Sequence, residues 1–176
     1  ELKFNRARDW MRMAGNNPYL AIAGKMLPQT LIFLSIFLLF EFYIYYVLQF
    51  PHPGGVLPIV LLGLLSVLAC QCFGIFFFGL TPSLRMSMSM CSLWGVVSFS
   101  ICGATYPLFS MDSPIQAIGQ LFPIRHYYMI YQMNVFNGFP MSDAALHWCA
   151  LVLFCALPLL TIWNIKKAML VYKYLP

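Results

Sequence analysis

Charge is what this sequence has least of. Only 9% of its 176 residues are Asp, Glu, Lys or Arg, whereas 61% are hydrophobic. Water-soluble domains usually carry about 25% charged and 45–50% apolar residues. The shortfall excludes a soluble globular domain and places the chain among integral membrane proteins. Acids are the scarcer sign, five against ten Lys and Arg, for a formal charge of +5. That excess names no partner until its placement is known, and no nucleic acid is expected among the partners.

Other absences narrow the chemistry. No signal peptide is visible, because the first dozen residues are polar and basic and the apolar run behind them is too long for a signal core. The chain begins at Glu1 rather than Met, so it is expected to be a piece of a longer protein. Six cysteines, at 70, 72, 91, 102, 149 and 155, show no zinc spacing and read as plain buried thiols. No Gly-x4-Gly-Lys-Ser/Thr loop is present, so any ATP must be bound by another chain or domain. No Gly-x-Ser-x-Gly elbow accompanies the serines of Ser83–Ser89. A membrane hydrolase could pair Ser110 or Ser113 with His126 or His147, or His126 with Asp112, and nothing in the spacing selects such a pair; a purely structural membrane subunit is the other alternative. The catalytic set, the metal set and the directly bound cofactors are each expected to be empty.

Long apolar runs are what the chain does have. Crossing the hydrocarbon takes about 20 apolar residues in a helix. Runs at 27–50, 57–80, 86–105 and 146–165 qualify, separated by Pro-His-Pro-Gly-Gly at 51–55, by Thr81-Pro82-Ser83 and by a longer loop. Residues 114–136 are long enough to cross, yet Pro123, Arg125 and His126 interrupt them. A charge at mid-bilayer costs at least ~2.5–3.5 kcal/mol, and a proline frees backbone groups that lipid cannot bond. Two half-helices, entering and leaving on one side, fit better than a fifth span. Charge placement agrees. With four spans, nine of the ten Lys and Arg share one face, and Arg125 alone lies opposite. Lys and Arg favour the cytoplasmic side, so both ends, including the tail 166–176, are expected there. The expected fold is an all-α membrane protein: four transmembrane helices, a cytoplasmic amphipathic helix and an extracellular re-entrant hairpin.

Residues 1–26 are expected to form the amphipathic helix and a linker, with 27–176 as the bundle. Phe4, Ala7, Met11 and Ala14 fall at helical spacing, with Trp10 beside them, and Lys3, Arg6, Arg8, Asp9 and Arg12 line the rest. Two readings stand: a helix resting on anionic lipid, or one docking a cytoplasmic partner.

Glu41 is the one carboxylate inside a span. It lies 14 residues past Leu27, roughly 21 Å along the axis at ~1.5 Å per residue, which is the outer half of the bilayer. Intramembrane acids usually face a bundle interior or a watery cavity and are functional candidates. The alternative is an acid that only fixes packing or reaches outer headgroups. In Leu121–Gln132, LFPIRHYYMIYQ, Arg125 is expected to snorkel to headgroups or to meet Glu41 or Asp112. Its tyrosines read as interfacial anchors, and a gate or exit lining is the sharper reading.

Three stretches together resemble a known family. GKMLPQTL (Gly24–Leu31) looks like its Gly-Lys-x-Leu-Pro helix entry. GATYPLFSMDSPIQAIGQLFPIRHY (Gly103–Tyr127) is similar to its Gly-x-x-x-Pro…Met-x-x-x-x-Gln…Leu-Pro-x-x-His/Tyr stretch. NVFNGFPMSD (Asn134–Asp143) looks like its lead into the last helix. The chain thus resembles the permease of ABC-2 type exporters, from the coupling helix onward. Where that family's coupling segment often reads Glu…Gly-Thr, this chain has Asn5-Arg6. The resemblance implies a non-catalytic permease coupled to a separate ATPase that uses ATP-Mg, paired with a second permease copy, identical or similar. It implies six spans in the complete half-transporter, of which these would be the third to sixth. It implies efflux from the inner membrane of substrates ranging from drugs and lipids to polysaccharides. An amphiphile would suit the 17% aromatic content, which core and interface belts also explain. It favours docking by Arg6, Arg8, Asp9, Trp10, Met11 and Arg12. It makes Glu41, Pro107, Pro123, Arg125, His126 and Tyr127 the candidates for translocation or gating.

Overall fold

The computed structural model describes residues 6–107 and 110–171. Of the expected elements, the start of the amphipathic helix with Lys3 and Phe4, and the end of the tail with Lys173, lie outside these residues. Every regular element among the described residues is helical. A short α1 (Ala7–Met13) precedes α2 (Pro18–Phe42), which continues as a π-helical stretch, Tyr43–Val47. Then come α3 (Val56–Leu80) and α4 (Leu84–Ile101). Two short helices follow, α5 (Ser113–Gly119) and α6 (Pro123–Ile130), and a second π-helical stretch, Tyr131–Phe136, extends α6. Last are α7 (Ala145–Ala156) and α8 (Pro158–Val171). Among the described residues four helical rods are long and apolar enough to cross a membrane: Pro18–Val47, Val56–Leu80, Leu84–Ile101 and Ala145–Val171.

Proline sets most of the boundaries. Pro18 and Pro123 open α2 and α6, and a proline also stands in the first turn of α5. A first-turn N–H has no intrahelical partner, so losing it there is free. At α2 the Asn17 side chain also accepts the Tyr19 N–H at 3.0 Å. This cap starts the helix at Pro18, not at Leu27, and the helix runs through Pro28 without ending. The third rod stops at Ile101, short of Thr105, because the chain leaves the helix through Gly103 at φ 102°. Pro158 divides the last rod into α7 and α8.

Packing is inside-out relative to a soluble bundle. On α2 only Ala21 and Glu41 are buried, while Leu31, Phe33, Leu39 and Phe40 face outward. Helix α3 is the central post and touches α2, α4, α6, α7 and α8. Its Leu62 and Ala69 join Ile130, Ala144 and Leu151 in the fully buried core. After the break at Gln120–Phe122, α6 leans on this post, while α5 lies against α4.

One loop contact is unusually tight. Gly54 donates its N–H to the Val135 carbonyl, and a Cβ on Gly54 would stand 1.8 Å from the Asn134 carbonyl oxygen. Any side chain there must push the 51–55 turn off the α6 extension. Gly54→Ala is expected to cost roughly 1–3 kcal/mol, read as a lower unfolding midpoint in detergent. Gly24→Ala, where a Cβ meets nothing within 4 Å, should leave the midpoint unchanged or raise it.

Candidate functional site

The amphipathic α1 lies against α2 and the end of α8. Ala7 and Met11 are buried, as their spacing predicts, and Arg8 Nη2 donates to the Leu170 carbonyl at 3.2 Å. The Lys25 ammonium sits 4.9 Å from the Trp10 ring centroid, a cation–π contact. Met11 is 0% exposed, so it anchors the helix and offers nothing to a partner. The outward set is Arg6, Arg8, Asp9 and Arg12, joined by Met13 at 81% exposure. Sequence periodicity missed Met13, although it lies on the polar arc between the charges.

Helix α6 separates its candidates by face. Pro123 and Tyr127 line a groove of about 670 Å³ walled by α2 and α3, with Gln29, Ser66 and Gln71 as polar points in an otherwise apolar lining. Arg125 and His126 point the other way and are 6% and 3% exposed. Arg125 therefore does not snorkel. It meets neither Glu41 nor Asp112 among the described residues, and its Nε and Nη1 are buried without partners. Its Nη1 stands 2.4 Å from where a Cβ on Gly119 would sit, so only glycine at 119 leaves the guanidinium its place. Pro107 lies apart and is exposed, and its carbonyl accepts the Ser110 N–H at 3.0 Å.

His126 is fully engaged. Its Nε2 lies 2.9 Å from the Gln120 carbonyl, and its Nδ1 lies 2.9 Å from Nδ1 of His147. A carbonyl only accepts, so the neutral ring carries its proton on Nε2, and the His147 Nδ1–H donates to it. With both nitrogens committed, His126 has none left to activate a hydroxyl. Among the described residues no hydrogen bond joins His126 or His147 to Ser110, Asp112 or Ser113.

Asn134, which sequence reading did not single out, is the best-satisfied buried polar group. It is 1% exposed, donates to the Phe139 and Pro140 carbonyls at 2.9 and 3.0 Å, and accepts the Trp148 Nε1–H at 3.0 Å. It ties the end of the α6 extension to α7. The sequence signal was an asparagine inside an apolar segment with a tryptophan downstream.

Glu41 occupies a second cavity, of about 310 Å³, at the C-terminal end of α2. It is 8% exposed, and Oε2 has no hydrogen-bond partner. The rings of Phe42, Tyr45, Tyr46 and His52 line the same space. The Tyr45 hydroxyl bonds the Tyr131 hydroxyl, linking α2 to the α6 extension. Glu41 thus faces inward. The thiols are all free, and Cys70 and Cys149 are exposed, not buried as their apolar setting suggested.

Burial holds His126 below the usual imidazole range. Its bond to Gln120 opposes that shift and the Arg125 charge adds to it. The unfolded chain, with an ordinary His pKa of about 6.5, therefore takes up this proton first on acidification. Stability from this group is complete above that pH and is lost below it, until the folded pKa is reached. The unfolding midpoint should fall between pH 7.5 and 5.5, and His126→Gln, which keeps an N–H near Gln120, should reduce that fall. An equal fall in the variant would assign the loss to other groups.

The family model described as "ABC-2 family transporter protein" matches residues 1–163. No curated protein matches the chain, and no solved structure does.

Proposed function

The chain belongs to the ABC-2 transporter family and is a multi-pass membrane protein, and on that footing we propose that it is the membrane-spanning part of an ATP-driven exporter in the inner membrane. The family pairs such permeases with an ABC ATPase. In this reading α1 is the coupling helix, and the ATPase that hydrolyses ATP-Mg is a separate chain seated under Arg6, Asp9, Arg12 and Met13. The permease works as a dimer with a second copy or a similar subunit. Both ends of the chain are cytoplasmic, and α5–α6 is an extracellular re-entrant hairpin. The cargo is a drug, lipid or other amphiphile.

The observation that carries this reading is the seat of α1. One face is clamped to the bundle by Ala7, Met11 and the Arg8–Leu170 bond, and the other presents charge and one bare methionine. A push on that face moves α2 and α8 together, because α1 touches both. Rigid tilting of spans is one of the known routes by which such a push changes access. The α1 contact with the end of α8 also supports a shared side for the two ends.

Charge reversal tests the coupling role. In the intact permease, Asp9→Arg with Arg12→Glu is expected to weaken ATPase association by about tenfold, equal to about 1.4 kcal/mol. Export should fall while the unfolding midpoint stays put, since both side chains are exposed. Unchanged association and unchanged coupling of hydrolysis to export would remove α1 from the pathway.

A further inference from the structure

We propose that the cavity around Glu41 is a binding site for an organic ammonium group carried on an apolar chain. Glu41 is its counter-charge, and the rings of Phe42, Tyr45, Tyr46 and His52 form its walls.

The first ground is that the protein satisfies neither form of Glu41. Among the described residues no hydrogen bond or ion pair reaches it, although it is 8% exposed. As a carboxylate it is a buried charge without a partner, which is costly. As a neutral acid it has an O–H with no acceptor, and a packing role would supply one. The natural candidate, the Tyr45 hydroxyl, bonds Tyr131 and not Glu41. The group is left for something that enters.

The second ground is the lining. Aromatic faces attract cations electrostatically, and cages of several rings are a recurrent way to hold quaternary ammonium groups. Tyr45 and His52 pack at 4.8 Å between centroids, and Phe42 stacks on Tyr46 at 4.8 Å with 15° between planes. A metal cation fits poorly. Calcium takes six to eight oxygens and magnesium wants an octahedron, whereas this cavity has one carboxylate amid rings and aliphatic side chains. A volume of about 310 Å³ lies at the small end of ligand pockets. It suits a trimethylammonium-sized head with the start of a chain, and not a bulky polycyclic molecule.

The third ground is the backbone. The helix widens to a π-helix at Tyr43–Val47, immediately after Glu41. Such widenings are rare and concentrate at functional sites. This one carries Tyr45 and Tyr46 into the cavity lining. Phe42 and Tyr46 are 59% and 72% exposed on the bundle surface. A ligand entering past these exposed rings from the bilayer is an amphiphile.

As a binding site this stands without the export reading; as the cargo's site it rests on that reading. The test therefore measures binding first, without ATP. Intact permease in nanodiscs of phosphatidylglycerol is titrated with dodecyltrimethylammonium and with its neutral isostere, in which a tert-butyl head replaces the ammonium. The expected result is at least about tenfold tighter binding of the cation. Glu41→Gln should bring the two ligands within about threefold, and Glu41→Asp should restore part of the preference. If Glu41→Gln fails to fold, Phe42→Leu with Tyr46→Leu, both exposed, carries the test and should weaken the cation more than the isostere. Equal binding of both ligands, or an unaltered preference in either variant, overturns the site. Displacement by phosphatidylcholine would assign the site to a lipid headgroup; no displacement would assign it to a free amphiphile. ATP-driven export of the bound probe is measured last. Binding without export sinks the cargo role and leaves the site, whereas export without Glu41-dependent binding sinks the site and leaves the export reading.

Discussion

Hydrocarbon offers no hydrogen bonds, and the architecture follows from that constraint. Apolar side chains gain nothing by hiding from lipid, so they cover the outside of α2, while Glu41 on the same helix turns inward. Arg125, His126 and Asn134 are likewise buried. Pro18 and Pro123 stand at helix starts, where a missing N–H leaves no orphan. The break at Gln120–Phe122 is held against protein, with the Gln120 carbonyl taken by His126.

The buried polar groups divide into two kinds. Asn134 is saturated by Phe139, Pro140 and Trp148, and His126 by Gln120 and His147. These bonds fasten the α6 extension and the α5–α6 turn to α7, and a satisfied network of this kind specifies one arrangement. Glu41 and Arg125 are the opposite case, charged side chains buried with atoms left unpaired. They sit on different helices and face different spaces, so they do not neutralise each other. The fold thus satisfies its buried asparagine and leaves atoms of Glu41 and Arg125 unpaired.

Much was legible along the chain because it depends on local chemistry. The charge deficit and four apolar runs are composition. The break before Pro123 follows from a ring that cannot donate, and the buried Ala7 and Met11 follow from helical spacing. The start of α2 was misplaced because an Asn-Pro cap outweighed the apolar count that pointed to Leu27. Arg125 was misplaced for a different reason. Snorkelling assumes that a long side chain is free to reach water, and α6 lies with that face against the bundle.

The sequence alone determined the class of protein, the number of rods able to cross a membrane, and the family's signature stretches, since each rests on composition or short-range order. Tertiary structure decided which way each rod is rotated. Helices that are apolar all round have no hydrophobic stripe to set that rotation, so neighbours must set it. The meeting of His126 with His147, of Tyr45 with Tyr131, and of Glu41 with four rings depends on packing between helices distant in the chain. No local period encodes such contacts, which arise only when α2, α6 and α7 close on α3.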